Sequence, residues 1–207
     1  MFNDTSSTLA LLGTRRSGRP RDLVEPGPDP AQLREILALA TRVPDHGKLA
    51  PWRFVHIAKD GRAAFAELLE RAYRAGKSEE PGRLEIEAAH RFAHQAPELV
   101  VALSSPVPDT KIPLWEQELS CGAACMTLLL ATHAMGFAGG WVTGWAAYSP
   151  QVLAGLGGRG GERIAGFLFL GTPGAPLEER LRPSLDAVVS EWRPADQGAT
   201  RAMGERT

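Results

Sequence analysis

The sequence contains only two cysteines, Cys121 and Cys125, in 207 residues. Two cysteines four residues apart on one helix cannot easily reach disulfide geometry, so this pair favours a reducing compartment. A metal site would have to combine both thiols with His133 and a fourth ligand that the sequence does not offer, so simple packing is the favoured interpretation. The net charge of only -1 argues against nucleic acid or an anionic membrane as the main partner.

Signals for secretion or membrane insertion are also lacking. The apolar patch at residues 9–12 is short and precedes a basic cluster, which is the reverse of the order in a signal peptide. The segment 119–158 contains no Asp, Glu, Lys or Arg, but threonine, histidine and repeated glycine interrupt it and no basic clusters flank it. We therefore expect a cytoplasmic protein in which this segment supplies the core.

Several catalytic signatures are missing as well. The sequence has no nucleophile elbow and no phosphate-binding P-loop, and the glycines of 157–162 follow no strand that would make them a nucleotide motif. Glu116 and Glu118 are two residues apart, so on a helix their carboxylates point in different directions. A chain with clustered cationic donors but no evident nucleophile indicates that a bound cofactor performs the chemistry.

The chain is organised around residues 115–144, which predict a long apolar helix followed by a glycine-rich strand. A helix that is apolar on all sides is expected to be buried on all sides. Further elements are predicted around it: helices at 8–16, 30–43, 62–75, 83–95 and 150–156, and strands at 52–58, 99–103 and 164–170. The short apolar segment 187–189 is a further candidate strand, with no local partner. Strands separated by helices without regular βαβ spacing predict one α+β three-layer domain over residues 1–207, with 1–8 flexible.

The first candidate binding cluster consists of Arg15, Arg16 and Ser17. Two planar guanidinium groups and a hydroxyl suit a phosphate, or the carbonyl and ring-nitrogen acceptors of a heterocycle. Arginine runs are common on surfaces, however, so a solvated basic turn is the favoured explanation when this cluster is considered alone.

Two further segments could contribute to a binding site. Arg42 and His46 flank a loop bounded by prolines, where the histidine is either a binding residue or an exposed loop residue. The small-residue segment 139–144 emerges from the predicted core and is either a tightly packed strand or a platform beneath a flat ring.

Five motifs occur in a fixed order along the chain: RRS (Arg15–Ser17), RVPDHGKLAPW (Arg42–Trp52), PLWEQELSCGAA (Pro113–Ala124), GFAGGWVTG (Gly136–Gly144) and GFLFLGTP (Gly166–Pro173). Over residues 10–192 this set resembles the FMN-dependent nitroreductase family, and the second, third and fourth motifs are similar to one small subgroup. The resemblance implies an α+β sandwich around a mostly antiparallel sheet. It also implies an obligate homodimer with FMN at the subunit interface, and a C-terminal arm (183–193) that joins the partner's sheet.

The same resemblance implies which residues bind FMN: Arg15, Arg16, Ser17, Arg42, His46, Trp141, Val142, Thr143 and Arg182. Within this set, Arg42 and His46 are expected to reach the flavin of the partner subunit, and Arg182 is a candidate for the phosphate. The chain departs from the subgroup at Val142, where arginine is frequent, and at Ala50, where a polar residue is usual. Both departures bear on substrate preference and flavin potential more than on FMN binding.

The implied activity is a two-electron transfer by a ping-pong mechanism. NAD(P)H gives hydride to N5 of FMN, and a nitroaromatic, quinone or similar small electron-poor acceptor then takes the electrons, with no catalytic side chain and no metal required. Two alternatives remain open: a non-catalytic flavin carrier or redox-sensor dimer, and a flavin-free interaction domain with Trp115, Trp141 and Trp145 as its core.

Overall fold

A computed structural model describes residues 2–192 and 194. The helices are α1 (Thr8–Thr14), α2 (Pro30–Ala40), α3 (Arg62–Ala75), α4 (Arg83–Ala93), α5 (Leu114–Ala134), α6 (Pro150–Gly155) and α7 (Leu185–Val188). The strands are β1 (Leu23–Val24), β2 (Trp52–His56), β3 (Glu98–Ser104), β4 (Ala138–Val142) and β5 (Arg163–Pro173). Every predicted helix and strand of residues 8–170 is present, with bounds that differ by a few residues at some ends.

The strands form one antiparallel sheet with β5 at its centre. β3 pairs with β5 along one edge, and β2 pairs with β3. β4 pairs with the middle of β5, and β1 pairs with its last two residues. This arrangement confirms the predicted α+β fold with an antiparallel sheet.

Two apolar cores lie on the two faces of the sheet. Successive side chains of a strand point to opposite faces, and β5 accordingly divides its residues between the cores. Phe167 and Phe169 belong to the core shared with α3 and α4, whereas Leu168 and Leu170 belong to the core shared with α2 and α5. The molecule therefore has three layers, with the sheet between two groups of helices.

Local signals set the beginnings of two helices. The side chain of Asp29 accepts a hydrogen bond from the backbone N–H of Gln32, and the Gln32 side chain accepts one from the backbone N–H of Asp29. Pro30 fills the first turn, where its missing N–H costs nothing. Ser149 caps α6 in the same way, just before Pro150.

Helix α5 is less buried than its composition predicts. Its residues at a spacing of three and four form a continuous stripe that is exposed or half-buried in the single chain: Leu119, Gly122, Ala123, Met126, Thr127, Leu130 and Ala134. Trp115 near its N-terminus is 67% exposed. The prediction of burial on all sides is therefore wrong for one chain, because no other described element covers this face.

The tryptophans do not form a core. Trp141 and Trp145 are 38% and 40% exposed, and Trp115 is more exposed still. Burial of these indoles was the basis for a flavin-free interaction domain, so that interpretation loses its premise. The buried volume is filled instead by aliphatic side chains and phenylalanines.

The two ends of the chain differ from the expectation in detail. The Asn3 backbone N–H donates to Thr14 O, and the Asp4 backbone N–H donates to Thr14 Oγ1. The flexibility of residues 1–8 stays a prediction. Residues from Glu178 onward form a separate unit. Within it, Leu185–Val188 are helical where the sequence predicted a strand at 187–189. The predicted arm covers 183–193, and residue 193 lies outside the described residues. No helix in the described part is long and apolar enough to cross a membrane.

Candidate functional site

The segment that follows α1 lies along the edge of β4 opposite β5. The Gly18 backbone N–H donates to Gly139 O at 3.1 Å. A Cβ atom at Gly140 would lie 2.4 Å from Gly18 O, so the close approach requires glycine at that position. The structure thus brings the Arg15–Ser17 cluster beside the glycine-rich strand, two features that the sequence separates by more than a hundred residues.

The three residues of the cluster are half-buried and orient one another. The guanidinium of Arg15 donates to Ser17 Oγ at 3.4 Å. The guanidinium of Arg16 donates to the backbone carbonyls of Gly13 and Arg15, at 3.1 and 2.9 Å, and lies 4.8 Å from the centroid of the Phe2 ring. Two guanidinium groups and a hydroxyl therefore lie in one short segment that adjoins β4 through Gly18, and such donors can stabilise an anionic or acceptor-rich ligand.

The N-terminal residues complete this cluster, which sequence reasoning missed. The Arg16 backbone N–H donates to Asn3 Oδ1 at 2.9 Å, across thirteen residues of sequence. Several polar residues precede α1, and nothing in the sequence indicates that one of them, Asn3, will accept a hydrogen bond from Arg16, which follows the helix. Only the fold of residues 2–16 makes the contact.

A buried histidine lies behind the cluster. His133 of α5 is fully buried, and its Nδ1 is 3.2 Å from Phe137 O. Burial lowers the pKa of His133 to about 4; the Phe137 carbonyl opposes this change, and the positive charge of Arg15 adds to it. The imidazole is therefore neutral at physiological pH.

The metal interpretation finds no support in the geometry. Cys121 and Cys125 are free and buried, and no group of three His, Cys, Asp or Glu side chains in the described part of the chain is arranged to hold a metal ion. The hydrogen bond with Cys121, together with burial, raises the pKa of the Cys125 thiol. These cysteines are packing residues of the α5 core.

Strand β4 presents its residues in different environments. The indole N–H of Trp141 donates to Ala165 O at 3.0 Å, which fixes the ring while it stays partly exposed. The side chain of Val142 packs against the core shared with α3 and α4. Thr143 is exposed, and Gly144 ends the strand with a φ of 114°, which favours glycine.

The loop between α2 and β2 has an unusual backbone. Lys48 and Ala50 have positive φ values of 56° and 48°, as does Gly47. The carboxylate of Asp45 supports this conformation by accepting hydrogen bonds from the backbone N–H groups of Leu49 and Ala50, at 3.0 and 2.9 Å. The loop is thus fixed from within, although Ala50 replaces a polar residue.

Helix α5 holds the same loop from outside. The Ser120 hydroxyl donates to Pro44 O at 2.6 Å, and His46 Nδ1 lies 2.6 Å from Glu116 Oε2. Neither Ser120 nor Glu116 was predicted to act here, because the contacts span about 70 residues. The contacts hold His46 at the N-terminal end of α5.

Three further predicted site residues, Arg42, His46 and Arg182, belong to other segments of the chain. Arg42 is exposed at the end of α2, beside an apolar groove of about 450 Å³ between α1, α2 and α5. The described hydrogen bonds of Arg42 and His46 go to Leu39 and Glu116. Arg182 belongs to the separate C-terminal unit, where its guanidinium is 3.9 Å from Glu179.

A cavity of about 580 Å³ opens beside Trp141, between α5, the start of β5 and α6. Its lining residues are Ser104, Glu118, Cys121, Gly122, Trp141, Ala147, Tyr148, Ser149, Pro150, Leu153, Arg163, Ile164 and Ala165. The Arg163 guanidinium donates to the Glu118 carboxylate. Sequence reasoning did not identify this cavity, because its walls come from five separate segments.

Solved structures share this architecture. A nitroreductase-like family protein from Bacillus cereus superposes with a TM-score of 0.74 at 22% identity, covering 90% of this chain and 96% of that one. A nitroreductase with bound FMN from Bacteroides fragilis gives a TM-score of 0.66 at 24% identity, covering 88% and 98%. The fold is therefore that of the nitroreductase-like proteins.

Sequence relationships extend this assignment from fold to family. Residues 12–172 match the Nitroreductase family, to which the chain belongs. The protein named "Putative NAD(P)H nitroreductase YdjA" of Escherichia coli (strain K12) is 38% identical over 165 residues, which cover 80% of this chain and 87% of that protein. A Haemophilus influenzae protein, "Putative NAD(P)H nitroreductase", is 32% identical over 176 residues, covering 84% and 92%.

Proposed function

We propose that this protein is an FMN-dependent oxidoreductase that takes hydride from NAD(P)H and reduces small electron-poor acceptors such as nitroaromatics or quinones. Family membership, the names of its relatives and the FMN-containing structural neighbour support this proposal. The observation that carries it is the position of the RRS segment, which is hydrogen-bonded along β4 through Gly18 and Gly139. This places cationic donors beside a strand that lacks side chains at two successive positions.

The residues beside β4 fit a flavin mononucleotide. Arg15, Arg16 and Ser17 supply donors for the phosphate, or for the negative charge that a reduced flavin ring carries near N1 and O2. Gly139 and Gly140 are buried, and a Cβ there would lie 2.7 Å from Leu129 and 2.4 Å from Gly18 O, so the two glycines let α5 and the segment after Ser17 pack closely against β4. When bound, FMN would supply the two-electron redox chemistry between NAD(P)H and the acceptor, in a ping-pong order in which acceptor follows nicotinamide at the same site.

A second copy of this chain is the partner we propose for the uncovered face of α5. The apolar stripe on that helix continues toward exposed leucines of α1 and α2, Leu9, Leu12 and Leu39. Apolar side chains at a spacing of three and four are typical of a helix that packs against another element. In such a dimer, Arg42 and His46 of one subunit would reach the flavin of the other.

The C-terminal unit completes the proposal. Residues 183–193 are proposed to extend onto the partner's sheet, with Arg182 as a candidate for the FMN phosphate. The two free cysteines favour a reducing compartment, so we propose a cytoplasmic location. Cell fractionation tests the location, and crosslinking of a cysteine placed at Val189 to the partner subunit tests the arm.

Anaerobic titration of the purified protein with NADH and with NADPH tests the main proposal. Bleaching of the oxidised flavin absorbance by either nicotinamide, followed by recovery on adding a nitroaromatic, is the expected result. A yellow protein whose flavin stays oxidised with both nicotinamides would instead indicate a flavin carrier or redox sensor. Colourless protein that fails to bind added FMN would refute flavin binding altogether.

Substitution of Arg16 tests the position of the cofactor. Arg16→Ala is expected to weaken FMN retention, because it removes one of the donors beside β4. Arg21→Ala is a matched control, since Arg21 is exposed, lies in the same basic segment and contacts only Asp22 at 3.8 Å among its described partners. Equal FMN occupancy of both variants after gel filtration would remove the assignment of Arg16.

A further inference from the structure

The cavity of about 580 Å³ beside Trp141 has the size of a small-molecule site. Small-molecule sites are usually pockets of about 300–1,000 Å³ with mostly apolar walls. The Trp141 indole forms one wall and is fixed by its hydrogen bond to Ala165 O. On α5, a Cβ added at Gly122 would meet no atom within 4 Å, so this wall is open. Tyr148, which is 79% exposed, stands at the mouth.

The charges of this cavity cancel. Among its described lining residues, Glu118 and Arg163 are the only members of the Asp, Glu, Lys and Arg set. The Arg163 guanidinium donates to the Glu118 carboxylate, and the Glu118 side chain is 31% exposed against 67% for Arg163. An anionic ligand has to compete with the Glu118 carboxylate for the Arg163 guanidinium, and the negative charge of Glu118 also repels it. Neutral ligands meet neither obstacle.

We infer that this cavity is the acceptor pocket of the enzyme, and that the Glu118–Arg163 pair makes it select neutral aromatic acceptors over anionic ones. The inference rests on the proposed function, because Trp141 belongs both to the cavity wall and to the strand proposed to lie under the flavin. It adds the location of the acceptor and the residues that set its charge preference.

Binding of two matched probes tests this preference without turnover. The probes are a neutral nitroindole and the nitroindole carboxylate with the same ring, titrated by calorimetry into the oxidised holoprotein without nicotinamide. The carboxylate is expected to bind at least about tenfold more weakly, because its charge finds no unpaired cation. In steady-state assays, the acceptor kcat/KM values should follow the same order.

Charge variants assign the preference to the ion pair. Glu118→Gln leaves the Arg163 charge uncompensated, so the carboxylate probe should gain about tenfold in affinity while the neutral probe changes by less than about twofold. Arg163→Gln should lower the affinity for the carboxylate probe below that of the unmodified protein. Glu67→Gln is the control, because it changes the net charge equally at an exposed pair outside the cavity.

A filled cavity tests the location itself. Ala165→Leu adds volume inside the cavity from β5, so both probes should lose affinity, whereas Ala88→Leu on the exposed side of α4 should leave both unchanged. If Ala165→Leu does not fold, the charge variants still decide the question.

Equal affinities of the two probes for the unmodified protein, or an unchanged ratio in Glu118→Gln, would overturn the inference. If the probes give that result and nicotinamide still bleaches the flavin, the inference about the cavity fails but the proposed function stands. A flavin that neither nicotinamide reduces would overturn the proposed function, and with it the acceptor role of the cavity, whatever the probes show.

Discussion

The ion pair between Arg53 and Glu162 gives a sharp prediction for stability. Glu162 has a side chain that is only 2% exposed. It accepts two hydrogen bonds from the Arg53 guanidinium, at 3.0 and 2.7 Å, and one from the Arg159 backbone N–H at 2.8 Å. The same guanidinium donates to Gly157 O at 2.9 Å. One buried pair thus fixes the glycine-rich loop before β5 to the edge strand β2.

The magnitude follows from the protonation of Glu162. Hydrogen bonds from Arg53 lower the pKa of Glu162 from 4.5 to about 2, although burial acts in the opposite direction. Each unit of difference between the unfolded-state and folded-state pKa corresponds to about 1.4 kcal/mol. The ionised carboxylate therefore contributes about 3 kcal/mol to the free energy of unfolding at neutral pH. Because the folded-state pKa is depressed, this contribution is fully present above pH 4.5 and is lost as the pH falls toward about 2.

Urea denaturation of Glu162→Gln and the unmodified protein, at one protein concentration, measures the effect. At neutral pH the variant should lose about 3 kcal/mol, because the guanidinium is left without its counter-charge. The difference between the two proteins should shrink as the pH falls from 4.5 toward about 2.

The control is Glu67→Gln, which removes a carboxylate from an exposed pair whose Nη1–Oε2 distance is 3.7 Å. That change should cost less than about 1 kcal/mol. A loss below about 1 kcal/mol in Glu162→Gln, or a difference between proteins that does not change with pH, would refute the reasoning.

Three further predictions concern single residues. Arg62→Met should lower the free energy of unfolding by about 3 kcal/mol, because the buried guanidinium donates to four backbone carbonyls that methionine leaves unbonded. An unchanged urea midpoint would contradict this prediction. Asp29→Ala should cost about 1 kcal/mol in the same assay by removing the cap of α2, and Asp29→Asn should restore most of it. Gly140→Ala should reduce FMN occupancy after gel filtration, because its Cβ would lie 2.4 Å from Gly18 O; full occupancy would show that the RRS segment tolerates displacement.

Local sequence patterns predicted most of the secondary structure correctly. The apolar spacing from Pro30 onward predicted α2, and the continuous apolar run from Ile164 to Leu170 predicted β5. These signals succeed because a helix or a strand is stabilised largely by residues within a few positions of one another. The short segment at 187–189 failed, since three apolar residues fit either a strand or a helical turn.

By itself, the sequence determined the elements, the family and three clusters of candidate binding residues, since each is written in a contiguous motif. Only the tertiary structure decided that Arg15–Ser17 lies against β4 and which face of α5 stays uncovered. It also decided that Glu118 meets Arg163 and that Arg53 meets Glu162. These contacts join residues from 45 to more than 100 positions apart, and local periodicity carries no information about them. Chain topology brings such residues together, because the packing of helices on the sheet fixes which distant side chains share one space.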